Sequence, residues 1–472
     1  MMIRPRPLTA VCALMLAAGT SNAAMAQSDL YANFPVTLKG YDGDKKSSVA
    51  YTGQIARHAL HDSLKALAGK GDGGDGAALK QQMISYFSAS DAGRKLIAPT
   101  SKGEFVILQG DIDSISKKKN LAGKTFKGTI AGMPNNMTGS ELVAFWIDKA
   151  ATTKGGVDTA NGYNYPQLIS KFIMGAVSYN QAVDNYLDEK LEADNKPNDK
   201  PYKKGAYYTG KEHSWDEGFG YFGAPAHALR LSPDQAYSIA KRKDAVVSAA
   251  DLNGDGKIDL KSEYVFGPAY YAAGSDRSGK TKYFHTIMRA FIDGRQIITD
   301  AAGEKLSDTQ RAKLKAHAKT IATNWEQVLA EAVYKYAGSV YKDMEQLKAV
   351  LEANGDTTKL NNKYIKHWGE LKGFALALQT GKTNLGETAT KLNRLIGAGP
   401  LLINLSQVVD ISSKGDYVRD QTISWGEYML HMAKVQKLME DAFGVKAKAN
   451  AISGDIATLA QSLGAGTGAE ND

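Results

Sequence analysis

"QLISKFIMGAVSYNQAVDNYL", residues 167–187, sets Leu168, Phe172, Ala176, Tyr179, Val183 and Leu187 three and four positions apart. That is the period of an α-helix, so the stretch predicts one long helix with an apolar face turned to a core. A second run begins at the capping residues Ser307 and Asp308 and carries Leu314, Ile321, Trp325, Val328, Ala332, Tyr336, Val340, Met344 and Leu347 on a similar stripe. Gly338 marks a place where that helix can bend. The same spacing predicts helices over 53–68, 140–151, 233–249, 283–299, 362–379, 388–409 and 423–443. Alternating patterns are scarce, and "EFVILQG" (104–110) is the best candidate for a minor strand. The expected fold class is therefore mostly α, a multi-helix bundle with little strand, read as a helical domain over 27–461. A division into two lobes would fall near 192–210, where "EADNKPNDKPYKKG" begins as a polar connection, and 462–472 reads as a disordered tail.

The chain opens with Arg4 and Arg6, an apolar run from Leu8 to Ala18, and the small-x-small triplet Ala24, Met25, Ala26. This order predicts a signal peptide over 1–26 and a protein that is periplasmic or secreted after cleavage. Later apolar runs are too short to span a bilayer. Cys12 lies inside the leader and is the single cysteine of 472 residues, so the exported chain is expected to rest on its core, and on any bound ions, without disulfides. The formal charge of +8 falls to +6 without Arg4 and Arg6, and no block of like charge reads as a nucleic-acid contact.

"DLNGDGKIDLKSE" (251–263) has the ligand spacing of a calcium loop. Asp251, Asn253, Asp255 and Asp259 fall on positions 1, 3, 5 and 9, Gly256 on the turning position 6, and the backbone carbonyl of Lys257 on position 7. Position 12 is Ser262, and the carboxylate comes one residue late, at Glu263. Hard oxygen donors at alternate residues predict calcium in a structural role. The competing reading is a pair of Asn-Gly and Asp-Gly turns whose acids face water.

Several stretches together carry a resemblance: "SSVAYTGQIARH" (47–58), "YPQLISKFIMGAVSYNQAVDNYL" (165–187), "EHSWDEGFGYFGAP" (212–225), "DLNGDGKIDLKSEYVFG" (251–267) and "KHWGELKGFALALQ" (366–379). In these the chain resembles the secreted bacterial proteins that carry domain of unknown function 4856. The resemblance implies a helical exported domain in which the late Glu263 is normal. More distantly, the His-x-x-Glu spacing of His367 and Glu370 is similar to that of imelysin-like periplasmic proteins linked with iron uptake. Those carry Gly two residues before the His, where this chain has Ile365.

His213 stands four residues before Glu217, and His367 three before Glu370, each pair beside a Trp. On helices both spacings put imidazole and carboxylate on one face. Two such pairs facing each other would suit iron or zinc; in the plainer alternative each His is satisfied by its own Glu. Zincin, nucleophile-elbow, P-loop and dinucleotide patterns are absent from the sequence. Tyrosines cluster at 206–208 and 268–273, as on a recognition surface or a core edge. The leading expectation is a non-enzymatic exported binding protein for iron or another metal nutrient, with an unidentified small ligand or envelope protein as partner, no nucleic acid and no membrane span. A metal-dependent hydrolase or oxidoreductase using the four His and Glu residues, and a structural envelope protein, are the alternatives. Mass spectrometry of the exported protein should find its N-terminus close to Gln27; retention of Arg4 would defeat the leader reading.

Overall fold

The structure, a computed structural model, describes residues 29–465 apart from Asn33, Asn384 and Thr422; the leader and most of the expected tail lie outside the described residues. Fourteen α-helices and two small antiparallel hairpins make up the described chain. The first seven helices are α1 (Thr52–Ala68), α2 (Ala77–Phe87), α3 (Gly139–Thr152), α4 (Tyr165–Ile173), α5 (Gly210–Phe222), α6 (Pro233–Ala240) and α7 (Val247–Ala250). They are followed by α8 (Gly267–Asp276), α9 (Tyr283–Asp300), α10 (Asp308–Glu352), α11 (Thr358–Leu378), α12 (Gly386–Ile396), α13 (Trp425–Phe443) and α14 (Ile456–Leu463). Among the described residues, no helix is long and apolar enough to cross a membrane.

Five of these helices begin with reciprocal capping pairs: Thr138 with Glu141, Thr209 with Glu212, Ser232 with Gln235, Ser307 with Gln310 and Ser424 with Glu427. Each pair satisfies two backbone N–H groups that the first turn would leave orphaned. The 45-residue α10 is the spine, packed against α9, α11 and α13, while α11 lies on α4 and α1 lies on α4 and α5. Trp325 of α10 is buried between the rings of Tyr179 and Phe222, at centroid distances of 5.8 and 5.2 Å.

The helical period holds over 167–187, but the winding changes. The α-helix ends at Ile173, and Met174–Tyr179 and Gln181–Tyr186 are π-helical. This wider stretch contains Gly175, where a Cβ would stand 2.5 Å from the Ala377 side chain of α11. Gly338 does not interrupt α10; its missing side chain instead admits the carbonyl oxygen of Asn450. The predicted helix over 233–249 stops at Ala240, since Arg242 takes a left-handed φ of 53°. The helix predicted over 388–409 stops at Ile396 before Gly397 (φ 81°) and Pro400. Its last residues enter a strand over Gln407–Ile411, paired with Tyr417–Asp420. "EFVILQG" forms isolated bridges only, one of them parallel from Ile107 to Ile258.

The polar connection near 192–210 is anchored: buried Asn198 donates to the carbonyls of Ile298 and Glu304, and Lys211 Nζ to those of Lys190, Glu192 and Asn195. A fully buried ion cluster lies close by. Arg295 of α9 donates through Nε to Asp216 at 3.0 Å, has Glu212 at 3.3 Å, and donates to Ser48 at 2.5 Å. Tyr31 and the Ala50 amide also donate to Asp216, and Ser48 and Thr37 to Glu212. The cluster ties the first described segment to α5 and α9. Arg295→Met should destabilise the protein by about 3–5 kcal/mol, because two buried carboxylates lose their cation; a urea midpoint unchanged from wild type would contradict this.

Candidate functional site

Where α1, α4, α8, α10 and α11 meet, a cavity of about 460 Å³ opens. The first of its lining groups come from α1 (Asp62, Lys65) and α4 (Lys171). Others come from α8 (Tyr270, Tyr271), α10 (Lys335, Tyr336) and α11 (Lys366, His367, Glu370), with Lys241 from the end of α6. Helix spacing explains the convergence: Lys366 and Glu370 are one turn apart on α11, as are Asp62 and Lys65 on α1.

Lys171 is 4 % exposed although it is a lysine. Its Nζ lies 3.6 Å from Glu370 Oε1 and 5.4 Å from the centre of the Tyr271 ring. Burial, and then the neighbouring Lys65 ammonium, hold its amine well below the usual lysine range, while Glu370 acts against them. Glu370 also accepts from the Tyr336 hydroxyl at 3.2 Å, which lies 3.0 Å from that of Tyr271. Buried Asp343 accepts from His367 Nδ1 at 2.5 Å and pairs with Lys363 at 2.8 Å. With Asp343 the partner of Nδ1, Nε2 is the ring nitrogen of His367 left to other partners. Asp62 is pushed up to about 6 by burial, against the opposing pull of Lys65, Lys171 and Arg242.

His367 and Glu370 therefore share a site, but neither is the other's partner. His213 and Glu217 do not join them. The His213 ring lies against those of Tyr202 and Tyr208, at 4.2 and 4.5 Å, with its Nε2 3.7 Å from Glu217, which accepts from Gln54. The expected convergence of two imidazoles and two carboxylates is thus corrected: His213 and Glu217 lie together among tyrosines, while His367 and Glu370 take separate partners from other helices. Among the described residues, no group of three or more His, Cys, Asp or Glu is arranged to hold a metal ion.

The 251–263 loop is folded around its own acids. Asp251 accepts from the amides of Gly254 and Gly256, Asn253 from Asp255, and Asp255 from Lys257. Glu263 is buried, and its oxygens accept from the amides of Leu252, Asn253 and Asp259, so it ties the two ends of the loop together. Gln109 holds Asp259 and the amide of Leu260 from outside. The four-residue α7 precedes the loop and α8 starts only at Gly267, so a helix–loop–helix pair does not form.

Sequence reasoning placed Tyr270 and Tyr271 in a cluster suited to recognition but passed over Asp62, Lys65, Lys171, Lys241, Lys335, Lys366 and Asp343. One signal was legible: Lys171 interrupts the apolar run of α4 on the core side, three residues after Leu168.

No curated protein and no solved structure matches the chain. Of the stretches that carried the resemblance, 165–187, 212–225 and 251–267 lie within a matched family region, and 47–58 and 366–379 outside it. Residues 149–330 match the family described as Domain of unknown function (DUF4856), so the resemblance read from the sequence holds over that region.

Proposed function

We infer that the chain is an exported binding protein that takes a small anionic solute into the cavity between α1, α4, α8, α10 and α11. One observation carries this reading. Lys65, Lys241, Lys335 and Lys366 line the cavity, and among the described residues none has a carboxylate within 4 Å. Asp62 and Glu370 are the carboxylates among the lining residues, so cationic groups outnumber anionic ones. Such a field concentrates anions and repels bare cations. The tyrosine walls suit the uncharged part of the ligand. A metal nutrient fits this site only as an anionic complex, held through the oxygens of its carrier, and export rests on the leader. Calcium keeps a structural role in this reading only if it draws Asp251, Asn253, Asp255 and Asp259 from the loop amides they now accept from and together with the Lys257 carbonyl, with Glu263 as the tie between the loop ends.

Calorimetric titration with sulfate, which keeps both its charges across this pH range, against zinc as the cation control, tests the cavity. Anion binding should weaken with added salt. It should tighten, by about tenfold (1.4 kcal/mol), as pH falls through about 6, because Asp62 is charged above that pH and loses its charge below it. Asp62→Asn should flatten that dependence. Zinc binding without anion binding would sink the reading.

Calcium at about 100 times its dissociation constant should add ~2.7 kcal/mol of stability if it binds only the folded chain. Thermal melting with calcium against chelator measures this, and Asp251→Ala should abolish the shift; equal midpoints would leave the loop as a pair of turns.

A further inference from the structure

The arrangement around Lys171 goes beyond simple anion capture. Binding needs accessible ammonium groups, and exposed Lys241 and Lys366 with half-buried Lys335 supply them. Lys171 is different: it is 4 % exposed, its Nζ lies 3.6 Å from Glu370, and the Lys65 side chain is beside it. A lysine kept desolvated and next to a second cation sheds its proton readily and becomes a nucleophile. The adjoining groups are the ones amine chemistry requires. Glu370 can relay a proton, and the Tyr336 hydroxyl that donates to it steadies the carboxylate. His367, held by Asp343 at Nδ1, offers Nε2 as a second acid–base group. None of these features is needed to hold an inert anion.

We propose that Lys171 captures a small anion bearing a ketone or aldehyde carbonyl, of the 2-oxo acid class, as a covalent imine within this cavity. The proposal rests on the anion-binding reading above, since the carboxylate of the ligand is held by Lys241, Lys335 and Lys366 while its carbonyl meets Lys171. The neutral Nζ attacks the carbonyl carbon; the new C–N bond forms as the carbon–oxygen π bond breaks. Glu370 takes a proton from nitrogen, and a proton is returned to oxygen, giving the carbinolamine. That hydroxyl takes a proton from Glu370 or His367 and leaves as water as the nitrogen lone pair forms the iminium C=N, and the remaining N–H proton returns to the same group to give the neutral imine. Amine and carbonyl become imine and water, with no change of oxidation state and no further reactant.

The test incubates the intact mature protein with pyruvate in sodium borohydride, which reduces any imine to a stable secondary amine, and maps the modified peptide by mass spectrometry. Modification confined to Lys171 is expected, and lactate, which offers the same carboxylate without a carbonyl, should protect it. Lys171→Met should abolish the adduct, and Glu370→Gln should slow its formation by about 100-fold; both are scored only after melting shows them folded. The wild-type map alone decides the matter if a variant fails to fold. Lactate binding seen by calorimetry with no adduct, or with adducts scattered over exposed lysines, overturns covalent capture and leaves the anion reading standing. Neither lactate binding nor adduct overturns both.

Discussion

The close contact between α11 and the segment spanning α4 and its π-helical continuation sets the rest of the site. Gly369, Gly373 and Ala377 recur every four residues along one face of α11. A Cβ on Gly373 would stand 2.6 Å from Lys171 Cβ, and one on Gly175 would stand 2.5 Å from Ala377 Cβ. With glycine or alanine at these positions, the two backbones approach more closely than larger residues would permit. The stem of Lys171 is trapped in this seam, and its amine emerges beside Glu370, one turn from Gly373 on the same helix. The cavity is thus a by-product of tight packing on one side and of larger tyrosines on the other.

That origin explains what the sequence disclosed. Periodic apolar stripes are visible in a linear string because they repeat within one helix, and α1, α9, α10 and α11 were found that way. The helix α5 was read only through His213 and Glu217, without its extent, because nearly all of its faces are buried: Glu212 and Asp216 turn toward Arg295, and Trp215 donates to the Phe291 carbonyl and packs on Gly294. A helix packed on every side carries no stripe. Glycine and proline after Ile396 marked the true end of α12, yet the apolar residues beyond them kept the pattern going.

Polar partnerships follow the same logic. His367 and Glu370 were legible as a pair one turn apart, whereas their actual partners, Asp343 and Lys171, come from other helices and leave no mark in local spacing. His213 and Glu217 shared the helical spacing with the pair that matters and turned out to sit among tyrosines. In the loop, the late acid at Glu263 could be read, but not its work. Its oxygens are engaged by three backbone N–H groups, a bond type that has no side-chain signature.

The contact of Asn450 with α10 bears on the order in which the protein is made. Asn450 lines the cavity, presses its carbonyl onto Gly338, accepts from Gln436 and donates to Ser339. It adopts a left-handed φ of 59°, which asparagine tolerates better than most residues. One wall of the chamber therefore comes from near the end of the chain. Synthesis runs from the N-terminus, so the helices that carry Lys171 and His367 exist before this wall does. The chamber closes only once residue 450 has been made, and a chain that stalls short of Asn450 would carry its chemistry in the open.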